Sequence, residues 1–266
     1  MSRKLYYLRG RGGQKPFSGT TESVDWADRW LADGLEVAET PGGTAFIRID
    51  VSGLQAWMDL QRRQGNSVSL IGVLTRAAGL AIQRHPYLHK IAVGRNRRHY
   101  PAHVDIGVSQ AGETFVSPLM LIEATESKRS ADISKEITAR QTEIARGEEK
   151  LLSVVRKWGW LVPVPALRRS IIRFLLGRVA FRKGAGVLQV SYMPHIPMFT
   201  AMRFTATAII GVGGVRPEPI AVDGQVVVRP VIWVSLAMNH RVWDGLSGAR
   251  FLTEFAKILE SVDPEL

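Results

Sequence analysis

The chain has 266 residues, enough to bury a full core as one large domain or two small ones. It contains no cysteine, which excludes disulfides, zinc–thiolate centres and a cysteine nucleophile. The net charge of +11 is local: residues 151–217 hold ten Lys or Arg and no Asp or Glu, while the remainder balances 25 basic against 24 acidic residues, so the excess bears on partners rather than on the fold.

Residues 1–22 are polar and Gly-rich and are expected to be irregular. The N-terminus has no apolar run of signal-peptide length, and no apolar run is long enough to span a bilayer, so a cytoplasmic location is expected. Residues 23–266 read as a single domain, with a basic amphipathic insertion at 151–186. Val24 to Val37 has a helical pattern that Pro41-Gly-Gly ends. Thr44 to Val51 is a strand, with Ile47, Ile49 and Val51 on one side and Arg48 and Asp50 on the other. Ser52 is positioned to cap a helix carrying Leu54, Trp57 and Met58, with Gln55 completing a capping box. Ser67–Arg84 is an apolar helix, capped by Ser67 or Ser69 and stopped before Pro86. Strands are expected at Lys90–Val93, Val104–Ser109 and Glu113–Leu119, and a charged helix at Ala131–Lys150 with Ile133, Ile137 and Ile144 inward.

Ala166–Lys183 then sets Leu167, Ile171, Phe174, Leu175 and Val179 among five arginines. It reads as one basic amphipathic helix, either packed with a solvated Arg face or docked on a membrane surface, an acidic carrier protein or nucleotide phosphates. Gly186–Tyr192 and Thr205–Val212 are apolar strands, and Asp223-Gly224 between apolar runs predicts a type I′ hairpin. Elements alternate without a regular βαβ repeat. The fold class is therefore α/β in the α+β two-layer sense, a mixed sheet with packed helices. The pairs His85/His89 and His99/His103 are interrupted by Pro86 and Pro101, so no metal site is expected. No Gly-x-Ser-x-Gly elbow and no phosphate loop is present.

The densest stretch is Ser235 to Leu252. An apolar strand ends in Asn239, His240 and Arg241, Asp244-Gly245 makes a turn, and a helix follows through Phe251, Leu252, Phe255 and Leu259. A histidine at a strand end is rigidly held yet able to face a cleft, which suits a general base. His240-Arg-Val-Trp-Asp244-Gly245 resembles the His-x-x-x-Asp-Gly signature of the acyltransferase component of 2-oxoacid dehydrogenase complexes, shared with chloramphenicol acetyltransferase. Further segments resemble that family in order: Phe46-Ile-Arg-Ile-Asp50-Val51, Leu74-Thr-Arg-Ala-Ala with His85-Pro86, Asp105-Ile-Gly-Val, Val116-Ser-Pro-Leu, Gln189-Val190-Ser191, and Ile210-Gly211-Val212 through Pro230.

The resemblance implies a chloramphenicol acetyltransferase-like fold and a homotrimer with active sites between subunits. It implies His240 as general base, Ser191 as hydrogen-bond donor to an oxyanion, and Asp244 as a structural partner of an arginine, Arg29 or Arg241. Asn239, Tyr192 and His195 stand where the chain departs from the family, and are the candidates for contacting the acceptor. The implied activity is an acyl transfer, acetyl by expectation, from acetyl-CoA or a carrier thioester to a small-molecule hydroxyl of tetronate or polyketide type, as in antibiotic biosynthesis. CoA is then a co-substrate, no cofactor is bound, and nucleic acid is not a partner. The alternatives are a dihydrolipoyl acyltransferase core, or a non-catalytic scaffold or membrane-surface protein touching lipid through 166–183.

Overall fold

The computed structural model describes residues 26–37, 42–93, 97–109, 119–203 and 206–266, without the side chains of 28, 31, 32, 35, 36, 142–152 and 182. The elements run α1 (Trp26–Val37), β1 (Gly42–Asp50), α2 (Ser52–Arg63), α3 (Leu70–Arg84), β2 (Ile91–Val93), β3 (Arg97–His99), β4 (Ile106–Ser109), β5 (Leu119–Ile122), α4 (Ser130–Trp158), α5 (Pro165–Leu176), α6 (Val179–Lys183), β6 (Leu188–Met193), β7 (Ala208–Gly213), β8 (Arg216–Val222), β9 (Gln225–Asn239) and α7 (Gly245–Glu260).

The main sheet has the order β1-β9-β7-β6-β4-β5, with β8 added on β9, and β2 pairs with β3 apart from it. The β4–β6 and β6–β7 pairs are parallel and the others antiparallel, so the sheet is mixed as expected. Strand β9 is the hub. It turns back from β8 through Asp223 and Gly224, both at positive φ, which is the type I′ geometry that Asp-Gly favours.

Alternation assigns the two faces. Val190 of β6, Ile210 and Val212 of β7, and Val234 and Leu236 of β9 are fully buried on one face, beneath α3 and α7. Helix α3 is apolar almost all round, and eleven of its fifteen residues are buried, as befits a helix between the sheet and other helices. Ser69 is its N-cap, the hydroxyl accepting from the Gly72 amide at 3.2 Å. Gly248 lets α7 settle on β9, because a Cβ there would come within 2.6 Å of Met238 Sδ.

The opposite face carries the side chains between these. Ser109, Ser191, Gly211, Ser235 and Phe46 form one transverse row across five strands. Part of this face is covered by the segment after β6. It lies so close that a Cβ at Gly213 would meet the Pro197 carbonyl oxygen at 1.8 Å.

Three expectations are corrected, and one falls outside the described residues. Ser52 is the first residue of α2 rather than its cap; its amide and hydroxyl donate to Asp50 Oδ1 at 2.8 and 2.5 Å. A carboxylate two residues earlier outcompetes the capping geometry. The charged helix α4 runs on to Trp158, well past Lys150. The strand expected at Glu113–Leu119 lies outside the described residues except for Leu119, which opens β5. Ala166–Lys183 is two helices, α5 and α6, separated at Gly177-Arg178.

Nor is the arginine face of α5 wholly solvated. Arg168 is buried and donates to Asp33 Oδ2, and Arg169 donates to Asp33 Oδ1 at 2.9 Å. Burial alone would raise the Asp33 carboxyl; hydrogen bonds from Arg169 and Arg168 outweigh it and hold the group below the usual carboxylate range. These bonds, with Val37, Ile172 and Leu176 packed under Trp30, fasten α1 to α5 as a separate small cluster.

Candidate active site

Strand β9 hands the chain to α7 through a turn in which most groups are tied down. The Asn239 amide donates to Thr207 O at 2.8 Å, and its carbonyl accepts from Val242 and Trp243, both at 2.9 Å. Its side-chain Oδ1 accepts from the Arg241 amide at 3.0 Å, and the Arg98 guanidinium donates to Arg241 O at 2.8 Å. Trp243 is fully buried, its indole N–H donating to Leu88 O at 3.0 Å and its ring centroid 5.3 Å from that of Phe251. Asp244 is the N-cap of α7 and accepts from the Ser247 amide at 2.8 Å. His240, between these anchors, is exposed. Its Cδ2 lies 3.7 Å from where a Cβ would sit on Gly43 at the end of β1, an ordinary contact, whereas Met238 Cε would lie at 2.9 Å.

Hydrogen bonding from Ser247 holds the Asp244 carboxyl below the usual carboxylate range, with the charge of His240 a smaller contribution. The bond that fixes Asp244 among the described residues is the helix cap. Arg29 lies in α1 with its guanidinium 4.7 Å from the Trp26 ring centroid. If the cap is the essential role, Asp244→Asn should keep both activity and melting temperature, since asparagine caps as well as aspartate. Asp244→Ala should lose both together. Circular dichroism melts beside rate measurements check this, and an inactive Asp244→Asn with an unchanged melt would assign the carboxylate a direct chemical part.

The expected site residues fall into two groups. Ser191, Tyr192 and His195 lie at the C-terminal end of β6, where Met193 pairs with Gly213. Asn239, His240 and Asp244 lie past the row pairing Met238 with Ala208, at the other end of the sheet. Four residues along β9 and two strand spacings put Ser191 roughly 16 Å from Asn239 in one chain. Ser191 is buried at 8% exposure, and among the described residues its hydroxyl has no hydrogen-bond partner. Ser235, in the same row, instead donates to Phe199 O at 2.7 Å.

Tyr192 points to the helix-covered face, opposite Ser191, and burial pushes its phenol up. His195 is exposed, and its carbonyl accepts from Arg216 at 3.1 Å. Asn239 is 3% exposed and shapes the turn. Two positioning residues escaped the sequence reading. Arg98 gave no signal, whereas Trp243 could have been found as a large apolar side chain between two polar motif residues. Among the described residues no group of three or more His, Asp or Glu is placed to hold a metal ion.

The site therefore presents a histidine at the end of the sheet's hub strand, beside the N-cap of α7. Residues 197–266 match the family model for the catalytic domain of 2-oxoacid dehydrogenases acyltransferase. The resemblance read from the sequence is borne out by relatives as well. A mitochondrial dihydrolipoyllysine-residue succinyltransferase component of the 2-oxoglutarate dehydrogenase complex from Saccharomyces cerevisiae is 24% identical over 223 residues, 82% of this chain and 42% of that protein. The corresponding Haemophilus influenzae protein is 39% identical over 54 residues, 20% of this chain and 13% of its own length. The chain thus spans less than half the length of these relatives.

Among solved structures, a probable dihydrolipoamide acetyltransferase from Listeria monocytogenes has a TM-score of 0.66 at 18% identity, covering 93% of this chain and 97% of that one. The cubic core of a pyruvate dehydrogenase multienzyme complex has 0.67 at 20% identity, covering 92% and 93%. Chloramphenicol acetyltransferase has 0.50 at 12% identity, covering 90% and 95%. The fold is the one they share.

Proposed function

We propose that the chain is an acyltransferase that passes an acyl group between coenzyme A and a dihydrolipoyl thiol, with His240 as general base. The observation that carries this reading is the lone exposed imidazole on a turn whose other groups are fixed by the Asn239, Trp243 and Asp244 anchors. The names of the relatives support the thiol acceptor over the small-molecule hydroxyl of a tetronate or polyketide. In the forward step His240 takes the S–H proton as sulfur attacks the thioester carbonyl. The tetrahedral oxyanion then collapses, the bond to the CoA sulfur breaks, and the imidazolium returns its proton to the departing thiolate. Acetyl-CoA or another acyl-CoA is the co-substrate.

Ser191 is the proposed donor to the oxyanion. Because it stands far from His240 in its own chain, the serine facing a given histidine comes from a neighbouring copy in a closed assembly; the trimer expected from the family resemblance is one such form. Among the solved neighbours is Azotobacter vinelandii dihydrolipoamide acetyltransferase, studied for the role of a serine, a histidine and an asparagine four residues after it in its catalytic mechanism. The last two have the spacing of His240 and Asp244. Ser191→Ala should lower kcat by ~10²–10³-fold and leave KM nearly unchanged, as for a lost oxyanion donor. A rise in KM at constant kcat would remove the serine from this role.

The acceptor is tested by measuring CoA release from acetyl-CoA and succinyl-CoA with dihydrolipoamide and with a panel of alcohols. Transfer to dihydrolipoamide is the expected result. Transfer to alcohols alone would restore the hydroxyl reading, and no transfer to either would leave the non-catalytic scaffold.

A further inference from the structure

Nine of the twenty large apolar residues exposed in the described structure fall between positions 154 and 181. Trp158, Trp160, Leu161, Leu167, Phe174 and Phe181 are each between 43% and 59% exposed. Patches of this kind mark a contact surface. The fold holds them outward. Gly159 is buried against Trp26 and Trp30, with the Trp30 indole donating to Gly159 O at 3.4 Å, which fixes the turn that carries Trp158 and Trp160. In α5, the stripe Arg168, Ile172 and Leu176 is buried. Leu167, Ile171 and Phe174 make a second stripe at i, i+4, i+7, and its two ends are exposed.

Charge selects the partner. No acidic residue occurs from 151 to 217. Asp33 accounts for Arg168 and Arg169, while Lys157, Arg173, Arg178 and Lys183 stay exposed beside the apolar side chains. Two aromatic rings carry a cation directly: Lys157 Nζ is 5.2 Å from the Trp158 centroid, and Arg178 Cζ is 4.3 Å from that of Phe174. Aromatic rings at headgroup depth with cations beside them match the chemistry of an anionic bilayer surface, where the rings sit at the interface and the cations reach phosphates. No helix among the described residues is long and apolar enough to cross a membrane.

We propose that the surface formed by the end of α4, α5 and α6 docks the protein on anionic lipid membranes, lying in the plane of the interface. This goes beyond the acyl-transfer reading and does not depend on it.

The test is flotation of the full chain with phosphatidylcholine vesicles with and without phosphatidylglycerol. Binding is expected only to the anionic vesicles, and it should weaken as the screening length falls from ~10 Å at ~0.1 M salt to ~3 Å at ~1 M. Replacing Lys157, Arg173 and Arg178 by Gln should weaken partitioning about a hundredfold, at roughly fivefold per charge near an anionic surface. Trp158→Ser with Trp160→Ser should also lose binding, with an unchanged melt because both indoles are half exposed. Absence of binding to the anionic vesicles, or equal binding to neutral ones, overturns the proposal. So does a tryptophan variant that binds like the parent, which would reduce the contact to charge alone. A shift in oligomeric state of the variants without any vesicle binding would give the surface to a second copy instead, and retained binding by the charge variant would likewise rule the proposal out.

Discussion

His240→Ala should melt like the parent and turn over ~10²–10⁴-fold more slowly, the range for loss of a general base. The melt should hold because the side chain is exposed and the turn does not rest on it. Asn239 shapes the strand end through its own amide, carbonyl and Oδ1, Trp243 anchors the middle of the turn, and Asp244 starts the helix. The loss should therefore appear in kcat, with acyl-CoA affinity nearly retained. An alanine variant with full kcat would end the proposed chemistry, while leaving the fold and the lipid surface untouched.

The second large effect should come from a residue that touches no substrate. Trp243→Ala removes a fully buried indole, a change that costs ~3–5 kcal/mol in other cores. It also leaves Leu88 O without its donor. For a chain of this size that corresponds to a drop in Tm of roughly 10 °C or more. Trp243→Phe keeps most of the packing against Phe251 and loses the hydrogen bond, so it should fall between. Activity should track the alanine loss even at temperatures where the variant stays folded, because the indole sets the path from His240 to the α7 cap. A Trp243→Ala melt within about 2 °C of the parent, the shift that ~1 kcal/mol produces, would mean that the neighbourhood repacks.

What could be read from the sequence was local. Ser69 is one of the two caps that capping chemistry offers, the Asp223-Gly224 hairpin has the expected turn, and β1, α3 and α7 follow from periodicity. Strand β3 was missed because Arg97, Arg98 and His99 carry no apolar signal; only pairing with β2 makes them a strand. Ser52 was misread because a cap pattern cannot weigh a competing acceptor at Asp50. The Asp33–Arg168 pair joins residues 135 positions apart, and no local pattern reports which distant acid will meet an exposed-looking arginine. The site had the same limit. His240 and Asp244 share one turn and were legible, whereas the distance between Ser191 and His240 depends on strand order and register, which the order of motifs along the chain does not encode.

That separation across the sheet has a consequence for mixed populations. If a serine from one copy serves the histidine of the next, two inactive proteins can repair each other. Chains carrying Ser191→Ala still supply a sound histidine, and chains carrying His240→Ala still supply a sound serine. When equal amounts are unfolded, mixed and refolded together, about a quarter of the junctions in a closed ring should join the two intact halves. Activity should then rise far above that of either parent preparation, and the remaining junctions should stay silent.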